Sequence, residues 1–531
     1  MAISESPEKK CQSHALKHEL YISTGIFIVS LFYHLSYQSY GFSDAEWGPI
    51  VAIAERILQG DILYRDFSLG YTPGIYLYTA LGFKLFGVSL SSATAAWSII
   101  KAFNCVLIYI VGLQFLSRRL ALLLPLILWV AGPIHKSFLT FFELFNLLIL
   151  LRLLSTDSKG FYFISGIVAG ITLIFRIDLF GFFTIMVLLI EFVKIIERRK
   201  TDGKTQIARS LKKFSFFGGG TIFALAPIVL YLFLNSAIAD AVSQNLTTIK
   251  TATMKMLALP EITQIFSWNK WDFIAYGVLF VPFAVYSLLL AVLFLYIRNT
   301  KFTEEHKKFL TLFLYGVLIL QQITRTPSIG VLYEILPPVL IADIYLVSRH
   351  YINRRNTHPE KLRLVYPLTL AIANFTLLFL MLVSCIGTSP YASGSIFIRF
   401  TNTTPLSAPR VEVYTTYRQA DEFTRVRNII ETETKKNEYI FIVPDLSMYY
   451  FVTGRKNATR YYYIETYAGS DRKQLEIIRN LADKKVKLII LQAHRYVAYI
   501  PIVVEYINKH YQIKETIGDK IILIRRNNDA A

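Results

Sequence analysis

The 531-residue chain is poor in cysteine and in charge, and each shortage excludes something. Its three cysteines, Cys11, Cys105 and Cys385, lie far apart, two of them in apolar stretches. They offer neither a metal-ligand spacing nor a disulfide framework. No GxGxxG turn occurs, so nothing in the sequence argues for a nucleotide site. No internal repeat or low-complexity segment is evident. Charged residues make up only 18% of the chain.

Apolar residues fill the gap. They reach 54%, aromatics 15%, and mean hydropathy is +0.43, against about 45–50% apolar in an ordinary globular domain. The excess comes in blocks such as Phe216–Leu234 and Phe273–Tyr296, long enough for a helix of about 20 residues to cross a bilayer. The net charge of +19 would suit nucleic acid, but much of it sits in short connectors between apolar blocks. That is the positive-inside pattern of a membrane protein, and no nucleic-acid module accompanies it.

The expected fold is an α-helical polytopic membrane protein with a C-terminal extracytoplasmic α/β domain. Candidate spans are 20–39, 92–116, 120–134, 138–154, 160–177, 179–196, 214–235, 272–297, 309–325, 329–348 and 364–386, about eleven crossings. A leader, 1–19, precedes a first segment that lacks a small-residue cleavage site and reads as a retained anchor. With that leader in the cytoplasm, the basic connectors Arg118-Arg119, Glu197–Lys213, Arg298–Lys308 and Arg349–Arg363 all fall inside. The outer loops 40–91 and 236–271 are longer yet poorer in basic residues. Ala45–Leu58 has helical apolar spacing suited to an interfacial helix. Trp268 and Trp271 suit an aromatic belt. The membrane domain is thus 20–386, followed by a linker, 387–410, and a soluble domain, 411–531. That domain reads as helix (417–435), strand (439–443), short helix, strand (460–464), helix (471–483), strand (486–492), helix (497–510) and two strands around Gly518-Asp519.

Ionisable residues in membrane spans are costly and mark either function or a buried pair. On this topology Asp44, Glu46, Lys101, His135, Lys136, Glu143, Arg176, Asp178, Arg325 and Glu334 gather toward the outer side. The inner half offers mainly Glu191 and Arg152. That asymmetry suggests a cavity opening outward rather than a pathway through the membrane. The structural alternative stays open at several positions. Arg176 and Asp178 could be a packing ion pair, Lys101 and Glu143 could snorkel or pair with each other, and Asp44 or Glu46 could be an ordinary solvated acid.

The first loop carries Gly41-Phe42-Ser43-Asp44-Ala45-Glu46-Trp47, then Ala54–Gly60, Tyr64-Arg65-Asp66-Phe67 and Tyr71-Thr72-Pro73-Gly74-Ile75-Tyr76. Together these resemble the protein O-mannosyltransferase and aminoarabinose-transferase-like superfamily of GT-C-type glycosyltransferases. That superfamily has an acidic motif after the first span, an interfacial helix ending in Gly, an aromatic segment and a Pro turn. Many relatives have two adjacent prolines where this chain has Thr72-Pro73. Gly170–Asp178 is similar to a Gly-x5-Arg-x-Asp segment of bacterial members, and Tyr449–Arg455 with Thr459-Arg460-Tyr461 is similar to a pattern in their C-terminal domains.

The resemblance implies a polyprenyl-phosphate monosaccharide donor held in the bilayer and an acceptor glycan, lipid or protein on the extracytoplasmic face, in a bacterial inner membrane. Asp44 is the implied general base, since a carboxylate in hydrogen-bond reach can take the acceptor hydroxyl's proton. Cationic groups would steady the departing phosphate. Arg176 and Arg325 lead, because of the planar guanidinium fork, with Lys101 and Lys136 behind them. Tyr64, Asp66, Glu143, Asp178, Tyr333 and Glu334 are candidate sugar or acceptor contacts. Glu46 could hold acceptor, assist Asp44 or ligate a divalent cation. No cofactor is required, and a divalent cation is left open. The rival functions are a polysaccharide polymerase or ligase, and a flippase or transporter, which calls for polar residues through the full membrane depth and often repeat symmetry.

Overall fold

The computed structural model describes residues 7–43, 46–130, 137–256, 281–299, 303–325, 329–353, 398–444, 446–492 and 500–526. The expected span 364–386, with Asp44, His135, Lys136, Trp268 and Trp271, lies outside them. So do the side chains of Arg325 and Tyr333, although both residues sit on described helices.

Helices dominate. In order they are α1 (Pro7–Ser36), α2 (Trp47–Leu58), α3 (Gly74–Phe86), α4 (Leu90–Gly112), α5 (Arg118–Ala121), α6 (Leu123–Val130), α7 (Ser137–Leu154), α8 (Lys159–Phe175), α9 (Ile177–Leu234), α10 (Ile238–Met256), α11 (Val281–Asn299), α12 (Glu304–Arg325) and α13 (Ile329–Asn353). Among the described residues four segments are long and apolar enough to cross a bilayer: Lys17–Ser36, Leu90–Gly112, Ile177–Glu197 and Ile207–Leu234. Their outward faces stay apolar, with Phe32 69% and Ile222 70% exposed. Water would penalise such faces and lipid does not. The chain is an integral membrane protein.

The helix α9 merges two expected spans and the basic connector between them. It cannot be straight. Glu191 and Lys213, 22 residues apart, meet at 3.2 Å, whereas a straight helix would separate them by roughly 33 Å. The two arms therefore fold back on each other, and Phe183 of one meets Phe217 of the other. The second arm packs on α8 at backbone distance. A Cβ at Gly166 would lie 2.0 Å from the Phe217 carbonyl oxygen, and one at Gly220 2.0 Å from that of Phe163. Small residues permit this approach in lipid, where burial of apolar area gives no drive.

At the fold of α9 lies a closed polar network. Glu191, fully buried, accepts from Ser210 Oγ at 2.9 Å and from Lys213, and also from the Tyr162 hydroxyl. Lys213 reaches Asp157 at 2.6 Å, and Lys194 donates to the carbonyls of Leu153 and Thr156. This end of the bundle, expected to be the inner one, thus holds more charge than the sequence suggests, but the charge is paired. It ties the α7–α8 turn to both arms.

The C-terminal domain begins before residue 411. Strand β1 (Thr404–Ala408), inside the expected linker, forms an antiparallel hairpin with β2 (Val411–Thr415). Beyond the helix Tyr417–Glu433, five strands assemble in the order β4-β3-β5-β7-β6: β3 (Tyr439–Val443), β4 (Lys456–Asn457), β5 (Leu488–Gln492), β6 (Tyr511–Ile517) and β7 (Lys520–Arg525). Parallel pairing of β3 with β4 and β5, and helices Asp471–Asp483 and Pro501–His510 between strands, make it an α/β layer. The closing hairpin turns at Gly518-Asp519 as expected. The strand expected at 460–464 is not one: pairing falls earlier, at Lys456–Asn457, and Arg460–Tyr463 instead docks on the first loop.

Candidate active site

The first loop is clamped between the bundle and the C-terminal domain. Gly41 donates to the Tyr414 carbonyl at 3.0 Å, and Gln419 donates to that of Phe42 at 2.9 Å. The Glu46 amide donates to Ser43 Oγ at 3.2 Å, starting α2 directly after the acidic segment. A carboxylate there meets the positive end of the helix. Helix α2 is no surface helix, since Trp47 through Ala54 are all buried. Gly48 lets it touch the domain helix Met448–Thr453, and a Cβ there would lie 2.3 Å from the Met448 nitrogen. Asp44 falls outside the described residues, but both flanks, Ser43 and Glu46, are placed.

The loop's other polar residues hold its shape. Tyr64 adopts φ 66°, the left-handed region that costs a non-glycine residue energy. Its carbonyl accepts from Gln244 at 2.6 Å and from Arg460 at 2.7 Å, and its hydroxyl accepts from Asn245 at 3.2 Å. Burial pushes the phenol up to about 12. Arg460 also pairs with Asp240 at 2.7 Å, so Tyr64 joins the loop, α10 and the domain. Asp66 accepts from the Ile62 amide at 2.7 Å and pairs with Arg65. The hydrogen bonds from Arg65 hold its carboxyl below the ordinary value. Arg56 binds Asp61 at 2.6 Å and lies over the Phe67 ring. Tyr64 and Asp66, expected as sugar contacts, are thus engaged in fixing the loop.

The end of α8 meets this loop. Gly74 packs against the Phe175 ring, and Tyr71 lies within electrostatic reach of Arg176. Arg176, extended at the α8–α9 turn, makes a two-point ion pair with Asp178 and donates to Gln322 Oε1 at 3.0 Å. Gln322 in turn donates to Asp178 at 2.8 Å. Deeper, Glu143 is fully buried on α7, and neither of its oxygens has a hydrogen-bond partner among the described residues. Glu334, Arg176, Tyr286 and Tyr315 lie within electrostatic reach of it. The backbone carbonyl of Glu334 accepts from Thr140 at 2.9 Å. Glu143, Arg176, Asp178 and Glu334, from four elements, are therefore brought together. Gln322 and Tyr286 join them unforeseen, because uncharged residues in apolar spans carry no sequence signal of a site.

Lys101 lies apart from this group, on α4 facing α1. Among the described residues it makes no ion pair with Glu143, and His34 of α1 lies within electrostatic reach of it. His34 was not singled out from the sequence. An ionisable residue inside the first span was the available signal. Among the described residues no group of three or more His, Cys, Asp and Glu is placed to hold a metal.

Along nearly its whole length the chain is similar to ArnT from Cupriavidus metallidurans, in a structure bound to undecaprenyl phosphate (10% identity, TM-score 0.48, 98% of this chain and 99% of that one). Its apo structure gives 11% identity and a TM-score of 0.49 over the same shares. The archaeal oligosaccharyltransferase AglB from Archaeoglobus fulgidus, in complex with an inhibitory peptide and a dolichol-phosphate, gives 8% identity and a TM-score of 0.46, over 96% of this chain and 75% of that one. No family model matches the chain, and no curated protein does.

Proposed function

We propose that the protein is an inverting membrane glycosyltransferase that moves a monosaccharide from a polyprenyl-phosphate donor to an extracytoplasmic acceptor, with Asp44 as general base. One observation carries the proposal. The acidic start of α2, the Arg176–Asp178 turn and the C-terminal domain converge on one end of the bundle, through Gly48 on Met448 and Gly74 on Phe175. A carboxylate segment, a cationic group and a cluster of buried polar side chains thereby share one end of the bundle. Transfer of a sugar from a membrane-held phosphate needs those three.

In the reaction, the acceptor oxygen attacks the anomeric carbon while the bond from that carbon to the phosphate oxygen breaks. The bonding pair goes to the phosphate and the acceptor proton goes to Asp44. A carboxylate with an ordinary pKa near 3.9 is ionised and ready at neutral pH. Attack from the face opposite the leaving group inverts the centre. Arg176 is already shared between Asp178 and Gln322, which fixes its fork, while Glu143 and Glu334 offer oxygens to sugar hydroxyls. Glu46 orients the acceptor beside Asp44.

The paired inner network around Glu191 supports a transferase over a flippase, since a conduction path needs groups free to exchange partners. Profiling of lipid-linked sugars in membranes with and without the protein tests the proposal. One polyprenyl-phosphate sugar is expected to accumulate when the protein is absent. An unchanged profile contradicts the proposal.

A further inference from the structure

We infer that a cavity between the first arm of α9 and α12 binds a phospholipid with an ethanolamine headgroup, at the end of the bundle away from the candidate active site. The cavity holds about 210 Å³. Its lining includes Met186, Ile190, Val193 and Glu197 on α9, and Lys307 and Leu314 on α12. These spacings put one stripe of each helix on the cavity. Each stripe is mainly apolar and turns charged at the same end, where Glu197 and Lys307 meet at 2.9 Å. Val193 and its neighbour Phe192, 37% and 59% exposed, lie on the bilayer-crossing segment Ile177–Glu197, so the groove opens toward lipid. From Met186 to Glu197 α9 rises about 16 Å. That is about half of a hydrocarbon core of about 30 Å, the depth of one leaflet's acyl chain. The 17-residue helix α8 separates Asp157, at this end, from Arg176, about 25 Å away, so the cavity and the candidate active site are separate places.

The charges at the mouth choose the headgroup. Lys307 sits between Glu304 at 2.8 Å and Glu197 at 2.9 Å. Lys194, deeper in the lining, is committed to the carbonyls of Leu153 and Thr156 and to Asp157 and Glu191. Among the described residues at the mouth, two carboxylates thus share one ammonium, an excess of one negative charge. Glu304, with its side chain 67% exposed, uses Oε1 on Lys307 and keeps Oε2 for a second cation. Lys307 has three N–H donors and two carboxylate partners, which leaves one donor for a phosphate oxygen. An ethanolamine headgroup carries both complements, a primary ammonium and, two carbons away, a phosphate. The quaternary nitrogen of choline has no N–H to donate. A glycerol headgroup brings a negative charge and no cation to set against the carboxylates. The lipid's acyl chain then fills the apolar stripe. Burial of apolar area gives α9 and α12 little drive to associate in lipid. A headgroup bridging Glu304 and Lys307 beside Glu197 supplies a polar tie at this end of α12, as Gln322 does toward Asp178 at the other.

This site does not depend on the transferase function proposed above. The test is native mass spectrometry of the full-length protein in detergent, titrated with phosphatidylethanolamine, phosphatidylcholine and phosphatidylglycerol of identical acyl chains. The parent is expected to bind the ethanolamine lipid about tenfold more tightly than either of the others. Glu304→Gln, at an exposed position, is expected to erase most of that preference while the protein stays folded. Val193→Trp fills the groove and is expected to weaken all three lipids together. Equal affinity for the three lipids in the parent overturns the headgroup assignment. Tighter binding of phosphatidylglycerol gives the choice to the basic connectors and overturns it as well. An ethanolamine preference unmoved by Glu304→Gln places the site elsewhere and overturns the cavity, whether or not Val193→Trp folds.

Discussion

Arg176 and Asp178, two residues apart at the turn from α8 to α9, face each other through two parallel contacts, Nε to Oδ1 at 3.0 Å and a terminal nitrogen to Oδ2 at 2.6 Å. The pair is nearly enclosed, with side-chain exposures of 16% and 8%. Removing the cation leaves a buried carboxylate without its ionic partner. Arg176→Ala is expected to cost about 3 kcal/mol of stability, read as an earlier thermal transition in detergent. Arg176→Lys, which cannot make the two-point contact, should fall between. A transition unchanged in both would show that the pair does not hold the turn.

Gly48 brings the first loop to backbone distance of the C-terminal domain at Met448. Gly48→Val would push Met448 away and cost about 2 kcal/mol by overpacking. The expected result is a domain cleaved faster by limited proteolysis, together with reduced sugar transfer. Parent-like proteolysis would show that the contact yields without consequence.

Arg460 bonds Tyr64 and Asp240 from the domain side. Arg460→Ala is expected to cost about 1–3 kcal/mol, because the Tyr64 carbonyl loses a charged donor. Amide exchange in residues 62–69 reports it, rising in the variant and staying level if the bond is dispensable.

The carboxyl of Asp66 sits below its ordinary 3.8, chiefly through hydrogen bonds from Arg65. A depressed folded-state pKa means its contribution is complete above the unfolded value and is lost as pH falls through the folded one. Order in the loop should therefore hold from neutral pH down to about pH 4 and decline below it. Asp66→Asn should be less ordered at neutral pH and less acid-sensitive, measured by proteolysis across the titration. An identical pH profile in the variant would remove Asp66 from the loop's acid response.

Much of the fold was legible because lipid imposes long apolar runs and basic connectors, as in Phe216–Leu234 and Glu197–Lys213. The helix at the start of loop one and the alternation of the C-terminal domain followed from local periodicity. Its strand at 460–464 did not, because Arg460–Tyr463 spends its backbone groups on loop one, a long-range pairing that local spacing does not encode. The site was legible as a list of charges and not as a constellation. Glu143, Arg176 and Glu334 meet only through helix packing, and His34 comes within reach of Lys101 only where α1 lies against α4. Tyr64 and Asp66 stand in the sequence as candidate sugar or acceptor contacts, and their part in the loop's own geometry is not encoded by local spacing. Here they carry a left-handed turn and its closing ion pair.

The central claim is that the carboxylate at position 44 accepts the acceptor's proton. Asp44→Asn keeps size and hydrogen bonding while removing the base, so the measurement is sugar transfer from polyprenyl-phosphate donor by that variant beside the parent, with both proteins shown to be inserted and equally stable. Loss of transfer by a factor of about 10²–10⁴ is the predicted result. Turnover within a small factor of the parent's would contradict it.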